Sequence, residues 1–443
     1  MGEGRKRLIL AFIGFFVGLA LLMYFTMKGM NIIFAALISS IIVALSNQLS
    51  LEKALTENYM AGFTSYFASW FLVYLLGAVF GKIMEETGAA DSIANWVKRV
   101  IGAKHAVLAV VIACSVMAYG GVSVAIVAFA AYPIALSLFR EGNIPHRFIP
   151  AAIIFGSISF TMTSPGSPEV QNLIPMEFFG TKPTAGGWIA LVVAISIMVM
   201  GGFALKFMVD RAIKRGEQFD APQAVLDNIE RLQKVERKLP PTFFAILPLA
   251  LVVITLNVSA QFISSVAAAL VGLFVGCAVA LLTMRKYATK YDTMFTKGAE
   301  NAVIATVNIC AVVGFGAVAK ETPSFQMIVD ALVGMPGMAY VGLAGAVTII
   351  AGITGSASGG LGIALPILAP IYNAQGLDPN AMHRISALAS GGLDSLPHNG
   401  YIVTTIRAVS NETHDRAYKP VFVISVVVSM IALMLAILLY SIF

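Results

Sequence analysis

Asp394 and His398 stand four residues apart, with Pro397 between them, in the stretch GGLDSLPHNGY that runs from 391 to 401 between strongly apolar segments. An ionisable residue at membrane depth is costly unless it is paired or faces a cavity, so an acid and an imidazole placed there are candidates for loading and releasing a proton. Near-helical backbone would turn both toward one cavity. The structural alternative is an Asp that caps the following half-helix, with His398 merely hydrogen-bonded. A second polar interruption, TMTSPGSPEVQN at 161–172, has Glu169 as its only acid, and that residue reads equally well as an N-terminal helix charge.

Hydroxyl and amide groups collect around these two interruptions and around two Gly/Ser tips, YGGVS at 119–123 and TGSASG at 354–359. Ser123, Thr163, Ser164, Asn172, Ser356, Ser358, Ser395, His398 and Asn399 are the expected substrate contacts, with Ser167 beside them, and Asp394 with His398 the expected proton-coupling pair. Half-helix N-termini after each break would add oriented N–H groups. Such a lining suits a small hydroxylated anion held by dipoles and hydroxyls, with no arginine assigned to it. Gly77, Gly81 and Gly316 read as sites of close helix packing. Glu86 and Glu321 read as turn residues at span ends, and His105, His146, His383 and His414 as residues of span ends or loops without a ligand role.

The elements that must position these groups are membrane helices. Of 443 residues 58% are hydrophobic and only 12% charged, and the mean hydropathy is +0.85, outside the range of soluble domains. Apolar runs at 8–27, 62–83, 186–209, 261–283 and 420–443 reach the roughly 20 residues a crossing helix needs, without the alternation of a membrane barrel. The N-terminal run is kept as a span rather than a cleaved leader, because no small-residue cleavage site follows it. Cys114, Cys277 and Cys310 lie inside apolar segments without metal-ligand spacing. A net charge of +6, scattered between spans, suits loops facing anionic lipid rather than nucleic acid. The expectation is a multi-pass protein of the cell membrane, with no cofactor, no metal and no nucleic-acid partner.

Two halves echo one another. GKIMEETG at 81–88 returns as GAVAKETP at 316–323, and Pro133, His146 and Arg147 return as Pro370, His383 and Arg384. Agreement in rare residues at a nearly constant offset points to duplication. The fold expected is all-α and polytopic, two inverted repeats of about five crossings, each with a re-entrant hairpin and a broken helix. The first repeat, 1–209, would hold three scaffold spans, a hairpin at 105–139, a broken helix at 147–180 and a final span at 186–209. A charged cytoplasmic linker, 210–240, would include a solvated helix. The second repeat, 241–443, would hold a hairpin at 338–373, a broken helix at 384–409 and a final span at 420–443. Each hairpin arm is shorter than a full crossing, and an odd number of crossings per repeat requires inversion. With both termini outside, only Arg5, Lys6, Arg7, Lys53, Lys182, Lys320 and Arg384 of the 29 basic residues lie on the outer face. Broken elements at matching positions of inverted halves point to a transporter's binding site.

In GITGSASGGLGIALP at 352–366 and LDSLPHNGYIVTT at 393–405, the chain resembles the gluconate permease family, and most its 3-hydroxybutyrate-type branch, within a larger ion-transporter superfamily. The resemblance covers essentially the whole chain. It implies proton symport of a small hydroxy-monocarboxylate, 3-hydroxybutyrate before gluconate, by an elevator-like motion. It also implies a homodimer with the first three spans of each repeat as scaffold. TSPGSPEVQN departs from the family's first break, and only Ser395, His398 and Asn399 match its second. Fewer sugar-binding groups suggest a shorter substrate, with Leu396 and Ile363 supplying apolar lining, and hairpins rich in Ser and Asn keep sodium open as the coupling ion. An intramembrane serine hydrolase built on SASG at 356–359 is the alternative from another class, and it lacks the full Gly-x-Ser-Gly spacing.

Overall fold

The computed structural model describes residues 3–28, 30–102, 105–122, 124–222, 225, 238–288, 291–325, 327, 339–397 and 399–443. Ser123, His398 and most of the linker helix expected within 210–240 lie outside them. The described residues are helical, with no strand. The first half runs α1 (Glu3–Met27), α2 (Ile32–Ser46), α3 (Lys53–Glu86), α4 (Ala89–Ile101), α5 (Ala106–Tyr119), α6 (Val124–Glu141), α7 (149–163), α8 (Val170–Phe179) and α9 (Gly187–Lys214). The second runs α10 (Thr242–Ser259), α11 (Ser265–Thr283), α12 (Tyr291–Lys320), α13 (Ala339–Thr354), α14 (Ala357–Ala374), α15 (Pro379–Ser390), α16 (400–409) and α17 (His414–Ile442). Each half has three leading helices, followed in the first half by the additional α4, then a helical pair around a short tip, a helix broken in the middle, and a long final helix.

Among the described residues α3, α9, α10, α11, α12, α14 and α17 are long and apolar enough to cross a membrane. α14, at 18 residues, exceeds the partial span expected of a hairpin arm. It still lies alongside the shorter α13, because Gly360 lets the arms meet: a Cβ there would stand 2.6 Å from the Ala351 Cα. α3 and α12 pack along each other at the centre of the scaffold. Met294, Gly298, Ala302, Thr306 and Cys310 form a buried stripe of mostly small residues every four positions along α12, the spacing that lets helix backbones approach.

α4 is absent from the expected elements, because its charges read as a connection. It buries Ala90, Ile93, Ala94 and Val97 and carries Lys98 and Arg99 in its last turn. Ser92 fixes it by donating to the Pro240 carbonyl at 2.7 Å, and Lys98 pairs with Glu141 at 2.7 Å. On the face where α9 ends, Arg147 pairs with Glu217 at 2.7 Å and Arg416 pairs with Asp220. The start of the linker is therefore tied to both halves.

Candidate functional site

Both hairpin tips turn on a glycine in the left-handed region, Gly121 (φ 90°) and Gly355 (φ 60°), where a side chain would be strained. Each tip is fastened to the break of its own half. The Tyr119 hydroxyl donates to the Pro165 carbonyl at 2.7 Å, and the Asn399 amide donates to the Gly355 carbonyl at 3.1 Å. Between tips and breaks lies a cavity of about 980 Å³, lined by Gly121, by Pro168 to Gln171 of the first break, by Thr354 to Ser358 of the second tip, and by Asp394, Asn399 and Tyr401 of the second break. The scaffold wall comes from Tyr74 and Gly77 of α3 and from Asn301, Ala305 and Asn308 of α12. No Lys or Arg is among the described lining residues. A second cleft, about 840 Å³, lies between residues 179–189 and the start of α15 and holds neither tip nor break.

Three of the expected substrate contacts, Ser356, Ser358 and Asn399, meet the expected coupling acid Asp394 in the cavity. Ser356 caps α14 by accepting from the Gly359 N–H at 3.2 Å. The Ser358 hydroxyl lies 3.5 Å from that of Ser356 and close to the scaffold hydroxyls of Tyr66 and Tyr74, which are 3.3 Å apart. Asn399 also donates to the Asp394 carbonyl at 3.0 Å and caps α16 by accepting from the Ile402 N–H at 2.9 Å. The Asp394 carboxylate accepts from the Ser395 hydroxyl at 2.9 Å and lies near the Ser395 and Ala357 N–H groups. The half-helix that follows the break is capped by Asn399 and not by Asp394.

Thr163, Ser164, Asn172 and Ser395 do not line this cavity. The Thr163 hydroxyl donates back to the Ser159 carbonyl at 3.3 Å and that of Ser164 to the Phe160 carbonyl, so both satisfy their own helix end. Ser395 is taken up by Asp394, and its carbonyl by the Tyr418 hydroxyl at 3.0 Å. Asn172 donates to the carbonyls of Ser167 (2.8 Å) and Pro183 (3.0 Å) and accepts from His383 Nε2 at 3.1 Å. With Nε2 as donor, neutral His383 accepts at Nδ1 from Thr181, 2.6 Å away.

His383 and Arg384, expected at an exposed end, are wholly buried. Arg384 donates to the Thr163 carbonyl at the end of the first half-helix and to the Ala185 carbonyl at 2.8 Å. A guanidinium carries enough donors for such a cluster of carbonyls. His146 is equally buried, its Nδ1 2.8 Å from Glu412 Oε1 and its Nε2 2.9 Å from the Tyr132 hydroxyl. The duplicated histidines therefore each bind the loop that follows the other half's broken helix. Gly77 does not serve close packing, since nothing lies within 4 Å of a Cβ built there. Its bareness leaves cavity volume. Ile363 fills the space over Gly316 instead of lining the cavity, and Leu396 is not among the lining residues. Sequence reasoning misses Asn308, Tyr74 and Gln171. Asn301 and Asn308, seven apart in an apolar span, carry the signal that could find them, since that spacing shares a helix face.

Two opposed hairpins and two broken helices closing on one polar cavity within a membrane bundle define a secondary transporter. The comparisons with known proteins agree. The family model CitMHS, citrate transporter, matches residues 6–286, and DcuC, C4-dicarboxylate anaerobic carrier, matches 177–438. The uncharacterized transporter YxjC of Bacillus subtilis (strain 168) is 33% identical over 451 residues, covering 93% of this chain and 95% of that protein. Among solved structures the Alcanivorax borkumensis YdaH transporter shares the fold, with a TM-score of 0.56, 14% identity, and coverage of 88% of this chain and 87% of that one. The chain belongs to the carboxylate-transporter family that the first two models describe, and is a transporter rather than an enzyme.

Proposed function

We propose that the protein takes up a small hydroxy-monocarboxylate across the cell membrane, 3-hydroxybutyrate before gluconate or a related sugar acid, in symport with protons. Asp394 is the expected coupling acid, with His398 beside it, and Ser356, Ser358 and Asn399 are the expected substrate contacts. The observation that carries this reading is the cavity itself, which gathers both breaks and offers hydroxyls, amides and the uncapped N-terminus of α8 while no cationic side chain is among its described lining residues. One carboxylate can be held by such dipoles. Each further charge would be desolvated without a cationic partner. Resemblance to gluconate permeases supports the hydroxy acid. An elevator-like motion against a dimeric scaffold would have to break the Asn257 bond to the Gly166 carbonyl and separate Ser358 from the neighbouring Tyr66 and Tyr74.

A di- or tricarboxylate cargo is the second reading, favoured by the two matching family models; sodium in place of the proton is the alternative coupling. Purified protein in liposomes under an imposed pH gradient, offered labelled 3-hydroxybutyrate with gluconate, lactate, butyrate, succinate and citrate as competitors, ranks the cargoes. Dominance of 3-hydroxybutyrate is expected. Dominance of citrate or succinate would overturn the monocarboxylate reading, and uptake driven by sodium at equal pH would overturn the proton.

A further inference from the structure

Glu169 faces the same cavity as Asp394 from the opposite break, and its surroundings differ sharply. It stands at the N-cap position of α8 but makes no side-chain capping bond. No described side chain or N–H donates to its carboxylate. Its neighbour Gln171 likewise lines the cavity, with a buried Oε1 that has no hydrogen-bond partner among the described residues. The helix end they share is therefore open toward the cavity, and its free N–H groups are the best-placed donors for an anion.

The charged groups around Glu169 are few. Tyr74 of α3 and Tyr401 of α16 are within electrostatic reach of it. Asp394 lies across the cavity, and Glu85 at its edge is matched by Lys82 at 2.8 Å. From α15, His383 is engaged by Asn172 and Thr181, and Arg384 by the carbonyls behind the break. An ionised Glu169 thus has no cationic or donor partner among the described residues, and it repels any anion approaching the α8 N-terminus.

We infer that Glu169 is a second coupling carboxylate: it takes up one proton on the side where substrate loads, which frees the α8 N-terminus for the substrate's carboxylate, and releases that proton on the other side. The inference rests on the carboxylate-transport reading. Substrate and the ionised Glu169 side chain then exclude each other, and this exclusion is what ties the proton to the cargo.

The test counts protons per substrate in liposomes, by balancing a substrate gradient against a pH gradient, for wild type, Glu169→Gln and Glu169→Asp. Glu169→Gln should lose one proton from the count, so that its limiting accumulation falls about tenfold per unit of imposed pH gradient. Substrate counterflow, which needs no net proton movement, should stay within about twofold of wild type. Glu169→Asp should restore the count. An unchanged count in Glu169→Gln would overturn the inference while leaving the carboxylate reading intact. Loss of counterflow along with accumulation would also overturn it, since a binding or structural role would then explain the defect. Wild type that carries none of 3-hydroxybutyrate, gluconate, succinate and citrate would sink the reading and the inference together.

Discussion

In the first break the carbonyls of Thr163, Pro165, Gly166 and Ser167 are held by Arg384, Tyr119, Asn257 and Asn172, side chains drawn from four different helices. In the second, Asn399 of the break itself holds the carbonyls of Asp394 and Gly355, and Tyr418 holds that of Ser395. Backbone that leaves a helix inside a bilayer must find partners, and the two halves have solved this differently. One is braced from outside, including from scaffold helix α10. The other is held by its own Asn399, which also reaches the hairpin tip, and by Tyr418 of the final helix α17. The carboxylates follow the reverse order: Asp394 in the second break accepts from the Ser395 hydroxyl, and Glu169 in the braced break has no donor among the described residues. Inverted duplication has supplied one architecture, and divergence has given its two ends separate chemistry.

The difference is sharpest at Arg384, whose repeat counterpart Arg147 pairs with Glu217 and holds no carbonyl of the second break. Arg384→Gln strips the charged donor from the carbonyls of Thr163 and Ala185, and unpaired buried groups cost about 1–3 kcal/mol each. The expected loss is about 3 kcal/mol or more, read as a large drop in thermal stability in detergent. A small drop would mean that the first break is not braced from α15. Asn399→Ala should cost less, about 1–3 kcal/mol, for one cap and one pair of carbonyl bonds. Because the damage stays within the second break and its tip, proteolysis should increase near 354–359 and not near 164–169. Cleavage at both would erase the distinction.

The smallest effect is expected where both halves meet the linker. Hydrogen bonding to Arg147 holds the Glu217 carboxyl below its ordinary value of 4.5. The pair's contribution is then fully present above about pH 4.5 and fades as pH falls through the lowered folded value. Since the pair is partly exposed, the contribution is under about 1 kcal/mol. Glu217→Gln should flatten the acid limb of the stability profile by no more than that, and a larger change would mark the linker as a brace comparable to Arg384.

Much of this architecture is legible in the sequence. The repeated Gly, Glu, Thr, His and Arg residues announce duplication, and the short apolar arms around YGGVS and TGSASG announce tips, because helix length and breaks follow from local sequence. What stays hidden depends on partners distant in the chain. Nothing near Asn172 says that its amide faces His383, 211 positions on. Arg384 looks like a surface charge because a single sequence does not display the carbonyls that surround it. Gly77 looks like packing because a glycine that makes contact and a glycine that leaves space are the same letter.

If one carboxylate occupies the space between the two unlike breaks, it must shield both of them at once. The native cysteines, Cys114, Cys277 and Cys310, are all buried, so a cysteine introduced at the cavity should dominate labelling by a small thiol reagent. Gln171→Cys, in the first break, and Ser356→Cys, at the second tip, should each be labelled in the liposome-reconstituted protein. Saturating 3-hydroxybutyrate should slow both rates together, with the same concentration dependence. Protection at one position only, or at neither while the carboxylate is still transported, would contradict the account.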